Sequence, residues 1–511
     1  MKKLIKLVFS RIFVVALAIL LELAWIAALV WGISAISTHV ARIISILSLF
    51  LVLWIVNKKI NPSYKLAWTI LILTIPFFGV TIYFLFGKSR IAKKMSREFQ
   101  YVLNRISDLI QEDPEVRAEL EEEDKGISNQ SQYIRDHAGF PVYKNTITEY
   151  YSVGDDMFPA MIEELEKAQH FIFLEYFIIN DGRMWQTVLE ILERKAKEGV
   201  DVRLIYDDMG CATTLPYHFY KQLQSKGIKC ASFNPLRPIL NIILNNRDHR
   251  KILVIDGHTG FTGGINLADE YINEKDRFGH WKDTGIMLKG EAVWNFTVMF
   301  LQMWCVITKM KCDFKEFEPH MYHPGPFASD GFVQPYSDTP LDEEIVGENV
   351  YLNIINRAKK YIYICTPYLI IDNEMMTALC LASKSGVEVT ILTPGIPDKK
   401  MVFLLTQSYY EQLLEAGVKI YEYTPGFLHA KSFVCDDEVG AVGTVNMDYR
   451  SLYLHFECGT WMYKSNAIMQ IKMDMLSMLP KCNEITLEFC RNRNIVVRGM
   501  QSILRLFAPM L

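Results

Sequence analysis

The chain repeats itself, and the repeat sets what it can fold into. Ala168-Gln-His-Phe-Ile-Phe-Leu returns as Ala358-Lys-Lys-Tyr-Ile-Tyr-Ile, EGVDVRLI (198–205) as SGVEVTIL (385–392), and KQLQSKGIK (221–229) as EQLLEAGVK (411–419), each offset by about 190 residues. A period this long means two related domains, because solenoid repeats run to roughly 20–50 residues. Within the first copy, apolar β-type runs such as FIFLEYFII (171–179) and VDVRLIYD (200–207) flank a charged helical stretch. That alternation predicts an α/β sandwich.

Near the end of each copy stands one polar pattern. NNRDHRKILVIDGHTGFTGGIN (245–266) and GFLHAKSFVCDDEVGAVGTVN (426–446) share His249, Lys251, Asp256, Gly263 and Asn266 with His429, Lys431, Asp436, Gly443 and Asn446, at identical spacing. At roughly one in twenty per position, a five-residue match has a chance of about 10⁻⁷ per start. Residues two apart on a strand share a face, so each imidazole and ammonium meet one substrate group, and a cation beside an imidazole suits an anion. The apolar run after each lysine, the turn residues and the second apolar run predict a hairpin returning Asn266 or Asn446 beside the pair. The glycines leave room for close backbone approach to a ligand. Face-to-face packing of the copies brings two histidines, two lysines and two asparagines to one pocket. Such a pocket can hold a phosphodiester and its pentacoordinate transition state without metal or cofactor. One histidine attacks phosphorus while the other handles the proton of the alcohol.

The paired HxKx4D pattern followed by GxxN resembles the phospholipase D superfamily, and over nearly its whole length the chain is similar to the bacterial cardiolipin synthases. NPSYKLAWTILILTIPFFGVTIYFLFG (61–87), LEYFI (174–178), WKDT (281–284), TPYL (366–369), NMDYRS (446–451) and the terminal RLFAPML carry the likeness, while Gly285, Ile371 and His455 depart from it. The resemblance implies two pseudo-twofold-related phospholipase D-like α/β sandwich domains packed together, preceded by N-terminal transmembrane helices. It implies transfer of a phosphatidyl group between two phosphatidylglycerol molecules to give cardiolipin and glycerol through a phosphohistidine, with His249 as nucleophile and His429 as general acid and base. A membrane-bound hydrolase, or a transferase using another alcohol, is the alternative within the same chemistry. A catalytically idle membrane scaffold is the alternative outside it.

Asp256 and Asp436 are expected behind the hairpin, either orienting an imidazole or capping a turn. Asn266 and Asn446 are expected to bind the substrate phosphate. Glu457 and Asp283 follow their motifs at similar distances and are read as a matched outer pair that hydrogen-bonds the histidines. Glu175, a charge inside an apolar strand, either faces the pocket or sits in a structural ion pair.

The membrane enters through two apolar segments. Ile12–Ile33, with Glu22 its one charge, and Leu66–Phe86 are each long enough to cross a hydrocarbon core of about 30 Å. Ile43–Val56 is short for a span unless its helix runs back past Arg42 and His39. With that segment in the interface, Lys2, Lys3, Lys6 and Arg11 join Lys88, Arg90, Lys93, Lys94 and Arg97 on one side. A multi-pass cell-membrane protein with its catalytic domains in the cytoplasm is expected. The 10 cysteines include no CxxC pair, so they signal neither a zinc ribbon nor a disulfide framework and suit a reducing compartment. A net charge of -4, with no interleaved basic and aromatic stretches, argues against nucleic acid as a partner. A membrane tether favours phospholipid. LRPILNIIL (236–244) is an apolar entrance or a core segment, and RNRNIVVRGMQSILRLFAPML (491–511) lies on anionic lipid or docks on the protein body. The expected division is an anchor (1–95), a charged linker (96–141) whose EDPEVRAELEEED reads as a solvated helix or linker face, a first domain (142–315), an inter-domain linker (316–340), a second domain (341–485) and a basic amphipathic tail (486–511). No oligomeric state follows from the sequence.

Overall fold

A computed structural model of the 511-residue chain describes residues 17, 19, 20, 23, 35–86, 90–234, 246–311 and 313–510. Two compact units divide it: Met1–Lys94 with Leu236–Asn245 and Ile503–Leu511, and Met95–Pro235 with Asn246–Ser502.

In the larger unit the repeat returns strand by strand. The first copy contributes β1 (Thr146–Tyr151), β2 (Phe171–Tyr176), β3 (Asp201–Asp207), β4 (Lys229–Phe233), β5 (Arg247–Asp248), β6 (Lys251–Ile255), β7 (Thr259–Gly263) and β8 (Gly285–Gly290). The second contributes β9 (Phe332–Asp338), β10 (Tyr361–Cys365), β11 (Leu369–Ile370), β12 (Glu388–Pro394), β13 (Lys419–Tyr423), β14 (Ser432–Cys435), β15 (Val439–Gly443), β16 (Met447–Asp448), β17 (His455–Tyr463) and β18 (Cys482–Ile485). Among the described residues one large sheet runs β1-β8-β7-β6-β2-β3-β4 and the other β9-β17-β15-β14-β10-β12-β13, with β18 added at the far edge. The order is the same in both. In each, three neighbouring strands are parallel (β2-β3-β4 and β10-β12-β13) and the hairpin strand beside them is antiparallel. Parallel neighbours need a crossover of a dozen or more residues, which the helices Arg183–Lys197 and Asn373–Lys384 supply. Helices on the outer face explain why β2 is buried at every position and reads as a continuous apolar run rather than an alternating one.

The two sheets share one core. Helix Val293–Thr308 is apolar nearly all round, as a helix with no solvent face must be. It packs with Phe173, Val254 and Leu288 from the first sheet in the same cluster as Leu392, Val442 and Phe456 from the second. Phe173 and Phe300 stack with ring centroids 4.5 Å apart. The outer face of the first sheet is covered by helices Gly154–Lys167 and Arg183–Lys197.

Two expected linkers are folded instead. Residues 96–141 form helices, among them Pro114–Glu123 and Lys125–Ala138. Asp113 and Asp124 accept hydrogen bonds from the amides of Glu115 (2.8 Å) and Gly126 (2.8 Å), so part of the acidic run marks helix starts. Helix Lys125–Ala138 buries Ile127 and Ile134, and Gln334 Nε2 donates to the Phe140 carbonyl at 2.8 Å. The inter-domain linker ends early, because Phe332–Asp338 is already β9, paired along β17. Toward the C-terminus, Gln501 Nε2 donates to the Leu404 carbonyl at 3.0 Å while Ile495 and Val496 stay exposed, so this part docks on the body and still presents apolar side chains. The described cysteines are free thiols, most of them buried.

The smaller unit corrects a second expectation. Leu66–Phe86 is not one span: it is split into helices Pro62–Thr74 and Pro76–Phe86. Pro76 has no N–H for a continuing helix and pushes Ile75 out of the helical region, to φ -131° and ψ 74°. The chain folds back, leaving the Trp68 and Tyr83 rings 5.1 Å apart. A Cβ on Gly79 would stand 2.6 Å from the Leu71 carbonyl oxygen, so only glycine permits this approach. Leu51, Val52 and Ile55 of helix Ala35–Val56 complete the core with Ile72 and Tyr83. That helix does run back past Arg42 and His39, yet those residues confine its apolar part to 43–56, about 21 Å long. Among the described residues no helix is long and apolar enough to cross a membrane. Glu22 and all of Ile12–Ile33 except 17, 19, 20 and 23, together with 236–244, lie outside the described residues.

Candidate active site

Each histidine is delivered across the boundary between the copies. β5 of the first copy pairs in parallel with the start of β17 in the second, Arg247 opposite His455 and Asp248 opposite Phe456. The His249 amide then donates to the Phe456 carbonyl at 2.9 Å. In the mirrored place Lys282 bridges Leu428, and the His429 amide donates to the Lys282 carbonyl at 2.7 Å. The residues that follow are therefore thrown together in exchanged pairs. His249 Nδ1 lies 2.9 and 3.0 Å from the two Glu457 oxygens, and His429 Nδ1 lies 2.5 Å from Asp283 Oδ2. The anticipated outer pair is present, with each carboxylate serving the histidine of the other copy. Thr444 and Ser451 hydroxyls donate to Glu457, the latter at 2.6 Å, and fix its orientation.

The motif glycines make the exchange possible. A Cβ on Gly263 would meet the Thr284 carbonyl oxygen at 2.3 Å, and one on Gly443 the Cys458 carbonyl oxygen at 2.4 Å. Thr284 and Cys458 directly follow Asp283 and Glu457, so any larger residue would push the carboxylate strand away.

Burial dominates the electrostatics. It holds His249 down at about 3, with Lys251 adding to the effect and Glu457 opposing it, and His429 down at about 4 with Lys431 adding to the effect. Burial works to raise Glu457 and Asp283, but the adjoining imidazoles, and Lys431 beside Asp283, keep both below the usual carboxylate range. At neutral pH the carboxylates are thus anions and the imidazoles neutral. An anionic carboxylate only accepts, so Nδ1 carries the proton and Nε2 keeps its lone pair. Burial brings Lys251 to about 8 and Lys431 to about 7, and the Lys251 charge reaches both His429 and Lys431. Each ammonium donates to the backbone carbonyl of its own histidine, Lys251 to His249 at 2.6 Å.

Other expected residues divide. Asn266 accepts from the Ile178 amide at 3.0 Å and donates to Tyr271 at 2.7 Å, while the side-chain oxygen of Asn446 is buried without a hydrogen-bond partner. Asp256 does not touch an imidazole. Its carboxylate accepts from the amides of Gln169, His170 and Phe171, all at 2.8 Å, and Asp436 accepts from Lys359, Lys360 and Tyr361 at 2.7 to 2.9 Å. Both aspartates cap the turn that opens the central strand. Glu175 is the structural half of its alternative: Arg250, between His249 and Lys251, places Nη2 2.5 Å from its carboxylate, with both side chains buried. Sequence reasoning missed Thr444, Ser451 and Tyr271, whose ring centroid is 5.7 Å from that of His429. It also noted His455 only as a departure from pattern. Its ring centroid is 5.6 Å from that of His249, and its Nδ1 is 3.6 Å from Glu457 Oε1.

The geometry agrees with the comparisons. The family described as cardiolipin synthase, PLD-like domain, matches residues 161–304 and 351–479, and the family described as phospholipase D-nuclease N-terminal matches 46–88. A cardiolipin synthase of a Geobacillus species is 35% identical over 98% of this chain and 98% of its own. The chain belongs to the cardiolipin synthase, PLD-like family. Within that family a cardiolipin synthase of Halalkalibacterium halodurans is 34% identical over 94% of this chain and 95% of its own. An uncharacterized protein of Streptococcus mutans is 46% identical over 90% of this chain and 99% of its own. Among solved structures, a phosphatidylserine synthase of Haemophilus influenzae matches with a TM-score of 0.54 at 14% identity, over 75% of this chain and 97% of that one. That likeness establishes the fold of two such domains.

Proposed function

We infer that the protein makes cardiolipin and glycerol from two molecules of phosphatidylglycerol through a phosphohistidine. One observation carries the reading: two buried imidazoles, each with Nδ1 held by a carboxylate of the other copy and each followed two residues later by a buried lysine. His249 Nε2 attacks the phosphorus of the first phosphatidylglycerol. The phosphodiester anion, brought against His429, favours its protonated form, and His429 gives that proton to the departing glycerol oxygen. A second phosphatidylglycerol then takes the place of glycerol. His429 removes the proton from its hydroxyl, the oxygen attacks phosphorus, and the bond to His249 breaks. Lys251 and Lys431 hold the non-bridging oxygens and the added charge of the transition state.

Relatives named cardiolipin synthase along almost the whole chain support this substrate, as does the matched N-terminal family. The helical hairpin Pro62–Phe86 has arms of about 20 and 17 Å, too short to cross a core of about 30 Å, and suits a re-entrant dip into the bilayer. Ile12–Ile33 is long enough to cross such a core.

Purified protein in phosphatidylglycerol vesicles containing EDTA tests the function. Cardiolipin and glycerol in equal amounts are expected. Phosphatidic acid as the only lipid product would make the protein a hydrolase, and activity that returns only with a divalent ion would contradict the metal-free route.

A further inference from the structure

A third imidazole stands in the pocket with no part in this chemistry. Neither ring nitrogen of His455 has a hydrogen-bond partner, although both are buried, and Nδ1 is 3.6 Å from Glu457 Oε1. The same carboxylate lies 3.0 Å from His249 Nδ1. One ligand atom from each of His249, His455 and Glu457 falls within 4.8 Å of the other two. Two imidazoles and a carboxylate are a common donor set for zinc, bound at about 2.0–2.2 Å with the fourth position left open. Ligand atoms of such a tetrahedron are separated by roughly 3.4 Å, so a modest contraction of this cluster completes it. The hydroxyls of Thr444 and Ser451 already hold the Glu457 carboxylate, the kind of outer support that metal-binding carboxylates use.

We propose that His249, His455 and Glu457 form an inhibitory site for a divalent transition-metal cation of the zinc type. Inhibition follows from the tautomer. In the working pocket the proton of His249 sits on Nδ1 and the lone pair on Nε2. A metal bound at Nδ1 needs the lone pair there, so the proton moves to Nε2 and the ring, still neutral, no longer has a lone pair to offer phosphorus. Glu457 is drawn to the cation at the same time. The nearby ammonium groups of Lys251 and Lys431 oppose a dication, and they weaken the site without removing a ligand. Magnesium and calcium, which prefer all-oxygen ligands, are not expected to substitute.

The inhibition rests on the reading of His249 as the nucleophile; the binding does not. Full-length protein in detergent is titrated with Co²⁺, whose visible absorption reports tetrahedral nitrogen ligation, and Zn²⁺ is added to displace it. Zn²⁺ inhibition of transfer is measured for each variant against its own rate in EDTA. The native protein is expected to show the cobalt band, to lose it to Zn²⁺ and to be inhibited by Zn²⁺ but not by Mg²⁺. In His455→Asn the band is expected to vanish and the half-inhibiting Zn²⁺ concentration to rise about tenfold or more. Absence of the band in the native protein, or identical zinc sensitivity in His455→Asn, would overturn the proposal. Failure of the catalytic reading shows separately, as undiminished transfer by His249→Ala in EDTA.

Discussion

His249 and Asp256 lie in one motif and do different work. The imidazole is held by Glu457 from the other copy, so replacing Glu457 removes the group that fixes the tautomer. Glu457→Gln is expected to lower the transfer rate by about a hundredfold or more while leaving the fold intact, measured as initial rates beside a melting curve. Asp256 instead accepts three amides and sits at φ 50°. Asp256→Ala leaves those donors unpaired and strains the backbone, so a stability loss of about 2–4 kcal/mol is expected in denaturant titration. The surviving folded fraction keeps His249 in place. The lysines set the pH response. In the free pocket Lys431 stands at about 7 and Lys251 at about 8, so each loses its charge as pH rises through those values. An anionic ligand needs the charged forms. Inorganic phosphate is therefore expected to bind with proton uptake near pH 8 and to bind progressively more weakly above it, read by calorimetry in buffers of different ionisation enthalpy.

Elements carry these side chains, and here the sequence was partly legible. The repeat gave two sheets of equal strand order because apolar strand runs and capping aspartates are local signals, present twice at one offset. Glu457 and Asp283 could be paired with the histidines because they follow their motifs at similar distances. What no local signal contains is the exchange: β5 joins β17 through backbone hydrogen bonds that any sequence can make, so which carboxylate meets which histidine was invisible. Over 96–141 only the acidic run was legible, as a solvated helix or linker face, since capping acids and solvent-facing acids look alike in composition. The single span over 66–86 failed at Pro76, where apolar content said membrane and the missing amide said turn. Gly443 tests the element scale. Any Cβ there meets the β17 backbone next to Glu457, so Gly443→Val is expected to lose about 1–3 kcal/mol of stability and to lose activity well beyond what the unfolded fraction explains. Comparing activity per folded molecule with the melting curve checks this.

Across the whole molecule, duplication supplies two copies of one half-site, and pairing across the boundary gives each histidine a carboxylate that its own copy does not supply. One core, built around helix Val293–Thr308, holds both sheets at that boundary. Pseudo-twofold symmetry then gives two imidazoles each held at Nδ1 by a carboxylate, which suits a reaction that runs the same displacement twice in opposite directions. The central claim is that one of them becomes covalently bonded to phosphorus while the other moves the proton. Mass spectrometry of the His429→Ala protein, mixed with phosphatidylglycerol and quenched in base, measures this most directly. The account predicts a phosphatidyl group on the peptide bearing His249, absent from His249→Ala. A native protein that turns over while neither imidazole peptide ever carries the adduct, in any variant, would contradict it.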